Sequence, residues 1–207
     1  MVIRDACAER DAAACAAIYA PYVRDTPISL EERVPTAQEI ADRIQTTTRT
    51  HPWLIAEDET EVIGYAYATR HRERACYRWA TDVTVYVAPE SQRRGVGRTL
   101  YETLFQLLAQ QGFRIACAGI TLPNQASVGL HEALGFRPVG VYQKIGWKMG
   151  AWHDVGWWQL ELGPAGGPPA ELGPAGGPPA ELGPAGGPPV ELGPAGGPPE
   201  ELGPPPT

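Results

Sequence analysis

The sequence predicts an α/β domain with a mixed sheet, followed by a tail rich in Pro and Gly. The domain is predicted because segments of alternating apolar residues take turns with segments of helical spacing, and about 160 residues suffice for one sizeable core. The tail is set apart by repetition. From Glu161 a ten-residue unit, Glu-Leu-Gly-Pro-Ala-Gly-Gly-Pro-Pro-Ala, recurs to the end of the chain with little change.

Four helices are predicted from apolar spacing and from the residues at their ends. The predicted helices are 8–23, 36–47, a leucine-faced segment that ends near Gly112, and 124–134. Thr36 and Glu39 form a capping box, in which hydroxyl and carboxylate satisfy each other's exposed amides. Asn124 is a favourable N-cap, and Gly135 is a natural stop signal.

Strands are predicted wherever apolar residues alternate or form short runs between turn signals. The predicted strands are 2–3, 53–56, 62–69, 82–88, 115–121, 139–145 and 155–162, and residues 28–35 form an irregular connection. In the fourth strand the three valines share one face, and Asp82, Thr84 and Tyr86 share the other. Strands that alternate with helices in this way are typical of an α/β sheet.

The composition of the tail argues against any packed structure. Residues 161–207 contain 13 of the 24 glycines, 15 of the 22 prolines and six glutamates, but no lysine or arginine. Proline removes amide donors, glycine raises the entropy cost of ordering, and one leucine per unit cannot offset that cost. We therefore predict a domain over 1–162 and a disordered tail over 163–207, with stacking of the units into a solenoid as the alternative.

Charge and hydropathy exclude two classes of partner. Residues 1–160 carry 17 basic and 18 acidic side chains, which does not fit a basic nucleic-acid-binding domain. No apolar run reaches the roughly 20 residues of a membrane span. The first residues lack a secretory apolar stretch, and the four cysteines show no paired metal spacing, so we expect reduced thiols, no metal and a cytoplasmic location.

The segment from Val85 to Arg98 is the most informative part of the chain. A strand runs into a short loop, Gln92-Arg-Arg-Gly-Val-Gly97, and then into a helix. Glycines let the backbone approach a ligand closely, and a helix N-terminus presents free amides and the positive end of the dipole. The segment therefore predicts a pyrophosphate site. A solvated basic turn before an ordinary helix is the alternative.

Two motifs carry a resemblance to a known family. The loop Gln92–Gly97 resembles the acetyl-CoA loop of the GNAT N-acetyltransferases, and Asn124–Phe136, about 30 residues later, is similar to the second signature of that family. The stretch from Lys148 to Gln159 is similar to phosphinothricin and methionine sulfoximine acetyltransferases. The resemblance covers roughly residues 2–162. It implies a mostly antiparallel sheet flanked by helices, acetyl-CoA as co-substrate and a homodimer.

The resemblance also implies where the coenzyme binds. One strand splays from its neighbour, and the backbone of Val85, Tyr86 and Val87 pairs with the pantetheine arm. The implied pyrophosphate residues are Arg93, Arg94, Gly95, Val96, Gly97 and Arg98. Asn124 and Ser127 then lie along the pantetheine arm near the thioester, and an N-cap role for Asn124 is compatible with this.

Two side chains are candidates for the chemistry. Asp82 stands where the resembling enzymes carry a catalytic glutamate, and its shorter side chain suggests a bridging water to the amine. The alternative is an aspartate at an exposed strand start. His131 stands where many members carry a tyrosine that serves the leaving thiolate, and an ordinary hydrogen-bonded helix histidine is the alternative. A backbone amide near Val85 is the implied oxyanion donor.

The acceptor site is implied by position alone. Arg74 and Tyr77 align with residues that bind an amino acid, and an arginine fork suits a carboxylate. A charged surface hairpin over His71–Arg74 is the alternative. The loop 29–35 has acids where the phosphinothricin enzymes carry an arginine, so Glu31 and Glu32 would repel an anionic group and attract a cationic amine. Four tryptophans are expected in the core or a dimer interface, with a pocket wall as the alternative: Trp147, Trp152, Trp157 and Trp158.

The leading prediction is an acetyl-CoA-dependent N-acetyltransferase that acts on a small-molecule primary amine, an amino acid or an analogue of one. One alternative is a protein or peptide N-acetyltransferase. Another is an acyl-CoA sensor without turnover. A thiol hydrolase that uses Cys117 is disfavoured, because this cysteine lies within an apolar strand and lacks a nucleophile elbow.

Overall fold

The computed structural model describes residues 1–163 and 167–175 of the chain. The strands are β1 (Val2–Asp5), β2 (Trp53–Asp58), β3 (Glu61–Arg70), β4 (Ala80–Val87), β5 (Ile115–Leu122), β6 (Arg137–Lys148) and β7 (Ala151–Glu161). The helices are α1 (Ala8–Arg24), α2 (Ala37–Thr47), α3 (Val96–Gln111) and α4 (Gln125–Ala133). Two short 3-10 turns, at Ala75–Tyr77 and Pro89–Ser91, were not predicted.

The strands form one seven-stranded sheet in the order β1-β2-β3-β4-β5-β7-β6. Five of the six neighbouring pairs are antiparallel, and only β4 and β5 are parallel. The predicted α/β class, with a mixed and mostly antiparallel sheet between helices, is therefore confirmed. No helix within the described residues is long and apolar enough to cross a membrane.

Each face of the sheet is covered by helices that the sequence pattern predicts. The leucine face of α3 is fully buried at Leu100, Leu104 and Leu108, and it packs on β2, β3 and β4. On the other face, α1 and α2 bury Ile18 and Ile40 against aromatic residues of the sheet. Burying a leucine or isoleucine side chain contributes about 1.5–3 kcal/mol, so these two layers hold the sheet from both sides.

Some helix signals are confirmed, whereas the strand ends differ from the prediction. The capping box is confirmed, because the Thr36 hydroxyl accepts from the amide of Glu39 at 3.2 Å and the Glu39 carboxylate accepts from the amide of Thr36 at 2.7 Å. β6 and β7, however, extend to the pair Lys148 and Ala151 and form a longer hairpin than predicted. Its tight turn has positive φ at Met149.

Part of the tail contacts the domain. The indole Nε1 of Trp79 donates to the carbonyl of Ala170 at 2.8 Å, and the amide of Gly173 donates to the carbonyl of Gln111 at 2.7 Å. Leu172 packs against the core beside the end of α3. The predicted disorder concerns mostly residues outside the described ones. It stays a prediction, as does the boundary after residue 162.

Candidate active site

The sheet opens between its two parallel strands. β4 and β5 pair only at Ala80 with Ile115, Thr81 with Ala116, and Asp82 with Cys117. Beyond Asp82, β4 continues along β3 as far as Val87, while β5 continues along β7 as far as Leu122. We call the space between 83–87 and 118–122 the β4–β5 opening. Along it, one backbone edge of β4 is available to a ligand, which is the splay that the resemblance implies.

The glycine loop lies beside the β4–β5 opening. Gly95 has φ +83° and stands directly before α3, a conformation that glycine adopts without steric cost. A methyl group added at Gly97 would lie 3.3 Å from Leu130 and 3.7 Å from Val87, so this glycine allows close packing between α3, α4 and β4. The first amides of α3 have no partner within the helix. These amides are therefore free to bind an anion, as the sequence predicts, and this role stays a prediction.

The arginines of the loop are exposed and only loosely paired. Arg94 lies 3.2 Å from Asp58, and Arg98 lies 3.3 Å from Glu102 one turn further along α3. Arg93 is exposed, with φ +61°. Exposed ion pairs of this kind contribute about 0–1 kcal/mol each, so a bound anion can compete for these side chains.

α4 carries the second predicted motif. The side-chain oxygen of Asn124 accepts from the amide of Ser127 at 3.1 Å, which confirms the N-cap. His131 is buried, and its Nδ1 lies 2.7 Å from the carbonyl of Ser127, to which it donates. Its Nε2 lies 3.2 Å from the hydroxyl of Tyr101 and accepts from it. Burial lowers the pKa of His131, although the Ser127 carbonyl opposes this, so the ring is neutral near pH 7.

His131 therefore has the contacts of a hydrogen-bonded core histidine, the alternative that the sequence left open. Both of its ring nitrogens are occupied within the protein. A role at the leaving thiolate requires that one of these hydrogen bonds be exchanged, and it stays a prediction.

Asp82 lies at the apex of the β4–β5 opening. It is the third residue of β4 and is half-buried, so it is not an exposed residue at a strand start. Its Oδ1 lies 2.6 Å from the Nδ1 of His71. Burial raises the pKa of Asp82, and the hydrogen bond to His71 acts in the opposite direction.

His71 is the main functional candidate that sequence reasoning missed. Residues 72–74 are exposed, as in the surface hairpin that was the alternative for His71–Arg74, whereas the ring of His71 is half-buried. That ring lies 6.0 Å from the ring of Trp157, edge to face, and 6.3 Å from the ring of Tyr77. The contact follows from the strand register, because pairing of Thr69 with Asp82 brings the chain after β3 beside Asp82. The sequence pattern does not fix this register.

Cys117 completes the cluster at the apex. Its sulfur and the side-chain donor atoms of His71 and Asp82 all lie within 4.8 Å of one another. Burial raises the pKa of the Cys117 thiol to about 11, and the nearby Asp82 carboxylate adds to this. A nucleophilic cysteine needs the opposite shift, so the thiol hydrolase alternative gains nothing from this proximity.

The wall of the opening on the β7 side is aromatic. Trp157 covers Gly119, and the guanidinium carbon of Arg72 lies 5.9 Å from its ring centroid. The indole Nε1 of Trp157 is buried and has no hydrogen-bond partner among the described residues. Of the four tryptophans, Trp158 lies in the core as expected, whereas Trp157 lies at the site.

The predicted acceptor residues have different surroundings. Arg74 and Tyr77 are exposed beside the 3-10 turn that precedes β4. Glu31 is held by Arg43 through two hydrogen bonds of 2.7 and 3.0 Å, and by the hydroxyl of Tyr19 at 3.0 Å. The Arg43 guanidinium lowers the pKa of Glu31, and the same pairing compensates its charge.

Comparison with known proteins gives a consistent result. Residues 5–157 match the family model described as an acetyltransferase (GNAT) domain. The phosphinothricin N-acetyltransferase of Streptomyces viridochromogenes is 41% identical over 151 residues, which are 73% of this chain and 82% of that protein.

Two solved structures extend the likeness. The phosphinothricin acetyltransferase of Sinorhizobium meliloti, in complex with acetyl-CoA, is 35% identical with a TM-score of 0.78, covering 82% of this chain and 93% of that one. The Salmonella typhimurium protein yncA with its cofactor acetyl-CoA is 31% identical with a TM-score of 0.77, covering 81% and 97%.

Proposed function

The chain belongs to the family of GNAT acetyltransferases, and from this premise we propose that it acetylates the primary amine of a small amino acid or amino-acid analogue, with acetyl-CoA as co-substrate. The observation that carries the proposal is the β4–β5 opening, which lies between the start of α3 and the cluster of His71, Asp82 and Cys117 at the apex. A thioester that binds along this opening brings its acetyl group towards Asp82.

The coenzyme is proposed to complete the sheet. Its pantetheine amides would pair with the open backbone edge of β4 at Val85, Tyr86 and Val87. The pyrophosphate would bind the first amides of α3, with charge from the neighbouring arginines. The residues proposed for the pyrophosphate are Arg93, Arg94, Gly95, Val96, Gly97 and Arg98. Asn124 and Ser127 at the start of α4 would contact the pantetheine arm.

Acetyl transfer needs three functions at the apex. The acceptor ammonium must lose a proton, the tetrahedral oxyanion must be stabilised, and the leaving thiolate must be solvated or protonated. We assign removal of the proton to Asp82, stabilisation of the oxyanion to a backbone amide near Val85, and protonation of the thiolate to His131. The half-burial of Asp82 supports the first assignment, because burial moves the pKa of a carboxyl towards that of a useful base.

The acceptor is proposed to bind on the side of Trp157. Arg74 and Tyr77 are the residues that the resemblance implies, and Arg72 adds a cation close to the apex. A buried indole donor without a partner costs free energy unless a ligand or water accepts from it. A carboxylate or phosphinate on the acceptor would satisfy both this donor and an arginine. Glu31, paired with Arg43, would contribute less than its formal charge suggests.

The test is an acceptor screen at saturating acetyl-CoA that measures release of the coenzyme thiol. Free amino acids, phosphinothricin and methionine sulfoximine are compared with peptides and polyamines, and N-acetylated amino acids serve as blocked controls. Turnover with free amino acids or their analogues supports the proposal. Turnover with peptides alone favours the protein acetyltransferase, and coenzyme binding without any turnover favours the sensor.

A homodimer in the cytoplasm is proposed as the state of the protein. β6 is an edge strand, and the β6–β7 hairpin exposes several large apolar side chains: Val139, Val141, Tyr142, Ile145, Trp147, Met149 and Trp152. A patch of this kind is typical of an interaction surface. The four free cysteines support a reducing compartment. Light scattering after size exclusion would detect twice the chain mass, and a monomer at micromolar concentration would contradict the dimer.

A further inference from the structure

The contact between His71 and Asp82 has a specific geometry. The carboxylate oxygen of Asp82 and the Nδ1 of His71 are 2.6 Å apart, and both side chains are largely shielded from solvent. A carboxylate accepts a hydrogen bond and the nitrogen donates it, so Nδ1 carries the proton. The Nε2 atom of a neutral ring then has its lone pair free to accept a proton.

The chemistry of the reaction favours an imidazole over a carboxylate as the base. Ordinary carboxyl groups titrate near 4 and imidazoles near 6.5, whereas a base works best when its pKa lies near the operating pH. In this chain the short side chain of Asp82 is already engaged with His71. Such a carboxylate fixes the tautomer and the orientation of an imidazole, as in an Asp–His pair of a hydrolase.

We propose that His71 is the base that receives the proton of the acceptor ammonium, and that Asp82 is the positioning residue that holds its ring. This inference rests on the proposed function and changes the role of Asp82 within it. It also removes the need for a bridging water between Asp82 and the amine, because the ring of His71 extends beyond the carboxylate.

The acceptor ammonium gives one proton to Nε2 of His71, and the freed lone pair of the amine forms a bond to the acetyl carbon of acetyl-CoA. The tetrahedral adduct collapses with cleavage of the carbon–sulfur bond, and the coenzyme leaves as a thiolate. The second proton of the adduct nitrogen goes to this thiolate, which gives the amide and free coenzyme A. His71 returns its proton to solvent.

The surroundings of His71 are compatible with this role. Asp82 faces it from β4 and Cys117 from β5, while Tyr77 and Arg72 flank it on its own connection and Trp157 packs on its edge from β7. The thiol of Cys117 is neutral, because burial raises its pKa to about 11. Arg72 is the one positively charged side chain among these neighbours of His71.

The experiment compares three variants in the full chain. His71→Asn keeps a donor for Asp82 but has no proton-accepting nitrogen, His71→Ala leaves space for added imidazole, and Asp82→Asn presents an amide to Nδ1. His153→Asn is the matched control, since that half-buried histidine lies away from the apex and donates to the carbonyl of Lys148 at 3.0 Å. For each protein the kcat, the KM of the acceptor, the pH profile of kcat/KM, and the affinity for acetyl-CoA are measured.

We expect His71→Asn to lower kcat by about 100-fold or more, with unchanged affinity for acetyl-CoA. The acid limb of the wild-type kcat/KM profile should disappear in His71→Ala, and imidazole should restore turnover to that variant but not to Asp82→Asn. The affinity for acetyl-CoA also shows that each variant is folded. A purely structural role would not produce rescue by imidazole.

Other outcomes overturn the inference. If Asp82→Asn is inactive while His71→Asn keeps near-normal turnover and its acid limb, Asp82 is itself the base and the proposed function stands without His71. Loss in His71→Ala without rescue, together with normal turnover in His71→Asn, gives His71 only a packing role. If the wild-type chain acetylates no amine in the acceptor screen, the proposed function fails and the assignment of a base fails with it.

Discussion

The chemistry proposed at the apex depends on single residues, and the sequence predicted some of them. Asp82 and Asn124 could be found because each belongs to a local motif, a strand or a helix start, that resembles a known family. His71 and Trp157 could not, since their relevance depends on strand register and on packing between segments more than 80 residues apart. Local patterns predict which residues lie on a strand, but contacts between distant strands are set by the whole sheet.

His131 has two candidate roles that one substitution can separate. In His131→Asn the hydroxyl of Tyr101 loses a buried acceptor, so the free energy of unfolding should fall by about 1–3 kcal/mol. A role at the thiolate adds a loss in kcat that persists well below the melting temperature. Chemical denaturation and steady-state kinetics measure the two effects independently, and a normal kcat would remove His131 from the mechanism.

The lowered pKa of Asp11 predicts how the free energy of unfolding depends on pH. Burial alone would raise the pKa of this carboxyl, but hydrogen bonds from Arg4, from the amide of Cys7 and from Arg10 outweigh burial and lower it to about 2. Because the folded pKa lies below the unfolded value near 3.9, the stabilisation is fully present above pH 4 and is lost as the pH falls towards 2. The shift corresponds to roughly 2 kcal/mol.

Urea unfolding of the wild-type chain and of Asp11→Asn between pH 2 and 7 tests the contribution of Asp11 to stability. The variant should be less stable at pH 7 and should lose less stability on acidification, because its side chain does not titrate. Parallel curves for the two proteins would contradict the assignment. Asp42→Asn, on the exposed face of α2, is the control.

At the scale of elements, prediction succeeded where the signal is local. The sequence predicted the capping box of α2, the leucine face of α3 and the N-cap of α4, because a helix is specified by residues within one or two turns. The sequence did not predict the full length of β6 and β7. Its strands continue to Lys148 and Ala151 because they pair with each other across the turn.

The start of α3 gives an element-scale prediction. In Gly95→Ala the added methyl meets no atom within 4 Å, but the positive φ costs about 1 kcal/mol for a residue with a side chain. If the helix start shifts to relieve this strain, its amides leave the pyrophosphate, and the Kd of acetyl-CoA should rise several-fold. Calorimetry measures the Kd, and thermal unfolding measures the strain.

Gly129→Ala is the matched control for this substitution. Gly129 lies within α4, where an added methyl likewise meets no atom and alanine favours the helix. We expect a small gain in stability and an unchanged Kd. Equal affinities for acetyl-CoA in both variants would argue against a strict requirement for the backbone of Gly95.

At the scale of the whole molecule, the question is how much of the tail belongs to the domain. A chain that ends at 175 keeps the contacts of Trp79, Gln111 and Leu172, whereas a chain that ends at 162 loses them. After the cost of ordering, we expect a net loss of about 1 kcal/mol in the shorter chain, or a melting temperature lower by about 2–4 °C. Acetyl transfer should be equal in both.

Scanning calorimetry of the two truncated chains and of the full chain measures this difference. Identical melting temperatures would mean that the contacts of residues 170–173 add nothing, and would support a domain boundary after residue 162. A drop in the chain that ends at 175, relative to the full chain, would give the remaining repeats a stabilising role.

The early separation of β4 from β5 has a consequence beyond catalysis. If acetyl-CoA binds along the β4–β5 opening as proposed, it adds hydrogen bonds to the free edge of β4 and thereby stabilises the folded state. At a concentration 100 times its Kd, such a ligand adds about 2.7 kcal/mol to the free energy of unfolding. The lifetime of this fold against proteolysis should therefore rise and fall with the supply of acetyl-CoA.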